Sequence, residues 1–304
     1  MSFADVAAAL LVPVLFPPLL LGVIARTKAR LSGRRGPPLL QLYFDLARLL
    51  RKGIVRSRTT TWVFFAGPVV GVVTAFAAAS LVPLGTRGTL VEFSGDLIAF
   101  AYLLALGRFF TIAAALDTGS AFEGMGAARE AAFSCLAEPA AFFALLVLVK
   151  LSGSLSLASM LGSSLPELWN TGAPSLGLAT VSLFVVLLAE NCRIPFDDPN
   201  THLELTMIHE VMVLDHSGPP LALILYGSAV KLFAYGLVLV RMVTPFELAG
   251  TAAGVSASLA GLVLLAILIG VVESVMARLR LLRVPSLLVG AGLLSAFGVM
   301  LLVG

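Results

Sequence analysis

Glu190-Asn191-Cys192-Arg193-Ile194-Pro195-Phe196-Asp197-Asp198-Pro199 opens a polar stretch that continues through Thr201-His202-Leu203-Glu204-Leu205-Thr206-Met207-Ile208-His209-Glu210 to Asp215-His216-Ser217-Gly218. It lies between two long apolar runs, 175–189 and 219–240, and holds six of the seventeen acidic residues and all three histidines. Ionised side chains inside hydrocarbon cost about 2.5–3.5 kcal/mol each on insertion scales. So much charge between two such runs marks a chain leaving the membrane and re-entering it, and it suggests a functional segment on a scaffold of spans.

Composition agrees. The 304 residues are 59% hydrophobic and 12% charged, with a mean hydropathy of +1.02. Soluble domains carry roughly 25% charged residues, so an all-α polytopic membrane protein is expected. The two cysteines, Cys135 and Cys192, show neither C-x-x-C nor Cys/His ligand spacing and read as buried inert thiols. The net charge of +3 gives no argument for nucleic acid, because the basic residues sit beside apolar runs. Val6 to Ala25 lacks a basic leader region and is long enough to span, so it reads as a span rather than a cleaved signal.

A crossing helix needs about 20 apolar residues. Eight spans are expected near 4–25, 60–83, 96–116, 131–154, 175–190, 219–241, 248–273 and 284–303, with the prolines of the first bending it. Cytoplasmic loops are then 26–59, 117–130, 191–218 and 274–283. The first holds ten basic residues between Arg26 and Arg58, and the last adds Arg278, Arg280 and Arg283, whereas the opposite loops contain only Arg87. This asymmetry puts the 191–218 loop in the cytoplasm and both termini outside.

Within the first loop, apolar residues at 39, 42, 43, 46, 49 and 50 form one helical stripe opposite Gln41, Asp45, Arg48 and Lys52. The pattern predicts an interfacial amphipathic helix, either a lipid anchor or a docking surface for a cytoplasmic partner. In the second, Gly119, Gly124 and Gly126 suggest tight turns before a helix starting near Ala127. A phosphate loop is excluded there, since G-x-x-x-x-G-K-[ST] is missing. Among ionisable residues in spans, Lys150 and Arg241 stand near outer ends and can snorkel. Arg108, Glu138, Lys231 and Glu273 must find partners and are candidates for ion pairs or an intramembrane relay.

In the 191–218 loop, Glu190 and Arg193 are one helical turn apart and able to pair or to share an internal cavity. His209-Glu210 lacks the H-E-x-x-H spacing, so no metal site is expected. Carboxylates and imidazoles in a dry setting suit proton transfer, since burial raises carboxylate pKa values and histidine titrates near neutrality. A loop that only binds a soluble subunit stays open as the plainer reading.

These residues resemble a known family. Glu190, Arg193, Pro195, Phe196 and Asp197, then Glu204-Leu205, then Asp215, Ser217 and Gly218 are similar to the signature loop of NADH dehydrogenase subunit 1, the H-type membrane subunit of complex I. Arg35-Gly36-Pro37 and Gly126-Ala127-Ala128-Arg129 resemble two further motifs of that family. The wording from Asn200 to Glu210, about three residues longer than in complex I, and that around Asp117–Glu138, look like another branch. It comprises formate hydrogenlyase subunit 4, hydrogenase-4 component C and the B-type membrane component of energy-converting hydrogenases, from group 4 membrane-bound [NiFe] hydrogenases.

The resemblance implies a membrane foot without a redox cofactor of its own, in a bacterial or archaeal cytoplasmic membrane. Its partners would be an iron–sulfur small subunit, a [NiFe] large subunit, antiporter-like membrane subunits and lipids. It further implies that Glu138, Glu190, Asp197, Glu204, Glu210 and Asp215 couple redox chemistry to proton or sodium movement, with Arg193 and Arg129 setting carboxylate pKa values. Arg34, Arg35, Gly36, Pro37, His202 and His209 would dock the partner. Two rivals stay open: a quinone-binding complex I-like subunit, and a purely structural anchor.

Overall fold

The computed structural model describes residues 3–85, 89, 91–162, 165–197, 207–244 and 251–302, and every regular element among them is helical. The chain opens with α1 (Phe3–Leu15) and α2 (Pro17–Leu31), bent by 42° at Phe16. The short α3 (Gln41–Leu50) precedes α4 (Val63–Ser80), α5 (Asp96–Asp117) and α6 (Ala121–Ser152). After a one-turn α7 (Leu157–Met160) come α8 (Leu165–Glu190), α9 (Gly218–Val243), α10 (Thr251–Val275) and α11 (Val284–Met300). Seven helices are long and apolar enough to cross a membrane, and the bent α1–α2 pair brings the number to eight. The chain is a multi-pass membrane protein.

The first span bends at its prolines as expected: Pro17 has no N–H to continue α1 and its fixed φ starts α2 instead. Two expectations are corrected. The fifth span runs from Leu165 rather than 175. Its first turns are anchored on one face, with Leu165 and Leu168 buried and Trp169 Nε1 donating to the Met242 carbonyl at 2.9 Å, while Glu167, Asn170 and Thr171 are exposed; a kink at Gly172 and Pro174 joins the two parts. The glycine-rich loop of 117–130 shrinks to a turn at Thr118–Ser120, because α6 already begins at Ala121. Gly126 serves close approach rather than a turn: a Cβ there would lie 2.9 Å from the Ile208 carbonyl oxygen.

The middle of the bundle is α9, which packs against α2, α3, α4, α8 and α10, and its residues 232–242 are all buried. Arg241, expected to snorkel, is among them and donates from Nη2 to the Leu161 carbonyl at 2.8 Å, because the turn after α7 closes over that end of α9. Lys150 is exposed in the last turn of α6, as a snorkelling lysine should be. Cys135 faces outward from α6 rather than being buried.

At one end of the bundle, three connections are stitched together. Asp117 accepts from Thr61 N (2.6 Å), Thr61 Oγ1 (2.8 Å) and Phe64 N (3.2 Å), tying the end of α5 to the start of α4. Ser217 Oγ accepts from Val55 N at 2.9 Å and donates to Val55 O at 3.1 Å. Gly218 has φ 57°, and a Cβ on it would stand 2.6 Å from the Gly53 carbonyl oxygen, so only glycine lets the two loops meet there. The fully buried Glu123 accepts the Asp215 N–H at 2.9 Å, joining α6 to the same face. The amphipathic α3 forms as expected and lies against α9 and α2, with Phe44 and Leu50 exposed. Tyr43 Oη donates to the Leu15 carbonyl at the α1–α2 bend.

Candidate functional site

Four helices bring a buried charge cluster together below this stitched face. Arg108 of α5 forms ion pairs with Glu138 of α6 and Glu190 at the end of α8, and its Nε lies 3.6 Å from Glu130 Oε1 of α6. Lys231 of α9 reaches Glu190 Oε2 at 2.9 Å. Side-chain exposure is 6% for Arg108 and 3% for Glu190 but 44% for Glu138, so the cluster runs from the bundle interior to its outer surface. Buried ions persist only where partners replace water, and among the described residues two cations here serve three carboxylates. With every group ionised the cluster carries one excess negative charge, which a proton on any one carboxylate would cancel.

A second cluster is centred on Glu273 of α10, whose two carboxylate oxygens lie 3.5 Å from Lys28 Nζ and 3.5 Å from Arg193 Nη1. Glu190 and Arg193 do not pair but share one internal cavity, the second of the two expected arrangements. The helix ends at Glu190, and Cys192, with φ 52°, turns the chain so that Arg193 leaves the helical register and faces Glu273. A third carboxylate, Asp197, is buried and pairs with Arg278 at 2.8 Å. Its other oxygen accepts from Ile208 N (3.0 Å) and His209 N (3.2 Å), so it fixes the return of the loop.

Both clusters open onto one cavity of about 570 Å³, within the 300–1,000 Å³ typical of small-molecule sites. Arg108, Glu130, Glu190, Lys231, Arg193, Glu273 and Lys28 charge one part of its wall, while Leu21, Ile24, Val72, Leu221 and Ile224 make the rest apolar. His209, Glu210 and His216 line it from the loop side. His216 stacks on Phe64 at 4.0 Å between ring centroids, and its Nε2 lies 3.2 Å from the Phe64 carbonyl oxygen. Burial holds the His216 and His209 imidazoles below their usual range, and burial with neighbouring carboxylates pushes the Cys192 thiol well up.

The structure thus unites Arg108, Glu138, Glu190 and Lys231 in one cluster and Arg193 with Glu273 in another. Arg129 donates to the Met207 carbonyl at 2.8 Å and to Met125 Sδ, so it anchors the loop's return to α6. Asp215 is exposed and is not part of a dry row of carboxylates, because its turn lies at the rim of the stitched face. His209, expected on the docking surface, faces the cavity instead, drawn inward by the Asp197 contacts. Arg34, Arg35 and Pro37 are exposed, and Gly36 packs on α2, where a Cβ would meet Ala29 Cβ at 2.8 Å. His202 and Glu204 lie outside the described residues.

Glu123, Glu130, Lys28 and Arg278 were not expected at the site. Read as one helix, 121–152 places Glu123, Glu130 and Glu138 at i, i+7 and i+15, a single face, and that spacing would have found them. Lys28 and Arg278 carry no comparable signal, since their partners are far along the chain.

Comparison with known proteins bears on this arrangement. A sequence model of the family described as NADH dehydrogenase matches residues 5–304. The chain is 31% identical over 277 residues to hydrogenase-4 component C of Escherichia coli (strain K12), covering 89% of this chain and 86% of that protein. It is 32% identical over 270 residues to formate hydrogenlyase subunit 4 of the same strain, covering 87% of each. The H-type subunit of NADH-quinone oxidoreductase from Burkholderia vietnamiensis (strain G4 / LMG 22486) is 29% identical over 211 residues, 66% of this chain and 58% of that one. A chain of the membrane-bound sulfane sulfur reductase, an archaeal respiratory membrane complex, shares the fold, with a TM-score of 0.84 at 20% identity over 99% of this chain and 100% of that one.

Proposed function

The chain belongs to the NADH dehydrogenase family, and from that premise we propose that it is the membrane subunit of a group 4 membrane-bound [NiFe] hydrogenase complex, of formate hydrogenlyase or energy-converting type. In this reading it holds no redox cofactor. The iron–sulfur small subunit and the [NiFe] large subunit of the complex sit on the face stitched by Asp117, Glu123 and Ser217. Antiporter-like membrane subunits lie alongside, in a bacterial or archaeal inner membrane with both termini outside. The two hydrogenase-type relatives match nearly nine tenths of this chain, against two thirds for the quinone oxidoreductase type, which favours this branch.

The observation that carries the coupling role is the Arg108 cluster, with three carboxylates on two cations. Redox events at the stitched face change the charge near the cavity mouth. The cluster answers by taking up or releasing a proton, and Glu138, with 44% of its side chain open on the outer surface, passes the change sideways to the next membrane subunit. A structural anchor would need no excess carboxylate. The test is mild-detergent purification of the tagged chain with metal analysis of what accompanies it, followed by Glu190→Gln in membrane vesicles. Nickel, hydrogen-dependent dye reduction and a Glu190→Gln complex that keeps dye reduction but loses ion translocation are expected. A chain purified alone, or a fully pumping Glu190→Gln complex, refutes the reading.

A second reading has one specific observation in its favour. The cavity's apolar wall beside a charged end suits the tail and head of a quinone. Quinone with iron–sulfur subunits and no nickel in the same preparation would move the chain to that branch.

A further inference from the structure

We propose that Glu130, Cys192 and His209 form a binding site for a divalent transition-metal ion of the Zn²⁺ type on the wall of the central cavity. The proposal does not depend on which complex the chain serves. One ligand atom from each residue, a carboxylate oxygen, a thiol sulfur and an imidazole nitrogen, lies within 4.8 Å of the other two. They come from three places in the fold: the middle of α6, the turn after α8, and the residue before the 3₁₀ turn Glu210–Val213. Ligands on one tetrahedral Zn²⁺, with metal–donor bonds of about 2.0–2.3 Å, stand about 3.3–3.8 Å apart. Closing from the observed spread therefore takes about an ångström of side-chain movement.

Each residue is held for such a role and poorly served without it. Among the described residues His209 Nδ1 is buried with no hydrogen-bond partner, an arrangement that is costly and calls for an explanation. The backbone N–H of His209 is pinned by Asp197 Oδ2, which fixes where the ring can go. Cys192 adopts φ 52°, a strained conformation for a non-glycine residue and one that gathers at functional sites. Among the described residues, the cation paired with Glu130 is Arg108, whose Nε stands 3.6 Å away and is itself without a hydrogen bond. Arg108 keeps Glu138 and Glu190 if Glu130 turns away to a metal.

The donor set selects the ion. A mixed sulfur, nitrogen and oxygen set suits Zn²⁺ and its neighbours, whereas Mg²⁺ and Ca²⁺ take oxygen ligands. Three protein ligands leave one position open towards the central cavity, which all three line. On binding, the Cys192 thiol gives up its proton to solvent and the thiolate takes the metal. An ion held here draws Glu130 from the Arg108 cluster and stands between the loop and the buried charges.

The test uses the full chain in detergent, in which Cys135 and Cys192 are the only sulfhydryls. Titration with Co²⁺ and then Zn²⁺ should show one ion per chain and a thiolate-to-cobalt charge-transfer absorption that Zn²⁺ abolishes. Cys135→Ser should retain both, Cys192→Ser should lose the absorption, and His209→Gln and Glu130→Gln should each weaken binding at least about tenfold, the scale on which even outer-shell partners act. Zn²⁺ should also shield Cys192 from alkylation in the Cys135→Ser chain, a readout that does not require the Cys192 variant to fold. No charge-transfer absorption in the unmodified chain, its survival in Cys192→Ser, or unshielded alkylation overturns the proposal.

Discussion

Replacing Arg108 by methionine should be among the most damaging single changes in this chain, and a second substitution should partly repair it. The guanidinium contacts Glu138, Glu190 and Glu130 with 6% of the side chain exposed. Removing it leaves one cation, Lys231, for three carboxylates. Breaking a buried ion pair from one side costs about 3–5 kcal/mol, because the stranded charge has no water to return to. Glu138 is 44% exposed and keeps part of its hydration, so we expect about 3 kcal/mol, the low end of that range. Glu190→Gln on its own leaves two carboxylates for two cations and should cost less, about 1.5 kcal/mol, the low end for a lost charged hydrogen bond. The double variant should therefore be more stable than Arg108→Met alone, with a coupling of about 1–3 kcal/mol typical of residues in one network. Thermal unfolding of the detergent-solubilised chain, followed by thiol reactivity of Cys192 in a Cys135→Ser background, measures all four corners of the cycle. Additive losses, or an Arg108→Met chain that melts with the parent, would show that the cluster is neither buried nor connected as described.

Other outcomes follow from single contacts. Burial, opposed by the Phe64 carbonyl, holds His216 below the ordinary histidine range. The unfolded chain then binds that proton more readily, so the His216 contribution to stability is present above about pH 6.5 and is lost as pH falls through the lowered folded-state value. Melting temperature should drop on acidification from about pH 7.5 to 5.5, and less so in His216→Gln; an equal drop in both refutes this. Gly126→Val would push a side chain towards the Ile208 carbonyl at 2.9 Å and Met212 Cγ at 3.0 Å. An overpacking cost of about 1–3 kcal/mol should appear as faster hydrogen exchange in 207–214 with α6 itself unchanged. Asp197→Asn keeps an acceptor but loses the charge opposite Arg278, so about 2 kcal/mol and earlier exchange of the Ile208 and His209 amides are expected.

The spans were legible because lipid demands long apolar helices whatever their neighbours do. The misreadings fall where contacts with the rest of the protein on one face, rather than apolar length, hold the helix. Residues 165–174 contain Asn170, Thr171 and Pro174, which look like a loop, yet Trp169 and its neighbours pack within the bundle and the helix persists. Gly124 and Gly126 look like turn residues, but in membrane helices small residues also mark close packing, and α6 uses Gly126 against the loop at 208–212. The charge-bearing residues of the site could be named from sequence, whereas their pairing could not. Glu190 stood one turn from Arg193 and found Arg108, eighty-two positions away, because the chain turns at Cys192.

The hydrogen bonds from Asp117, Glu123 and Ser217 have a consequence for assembly. They tie the loops of separate helical hairpins into one plate before any partner arrives. A protein meeting the described part of that plate finds loops already tied to one another, so less of its contact energy is spent against their chain entropy. Because the same contacts reach the starts of α4 and α9 and the first turn of α6, a force on any one of these loops is shared among the three helices instead of bending one alone.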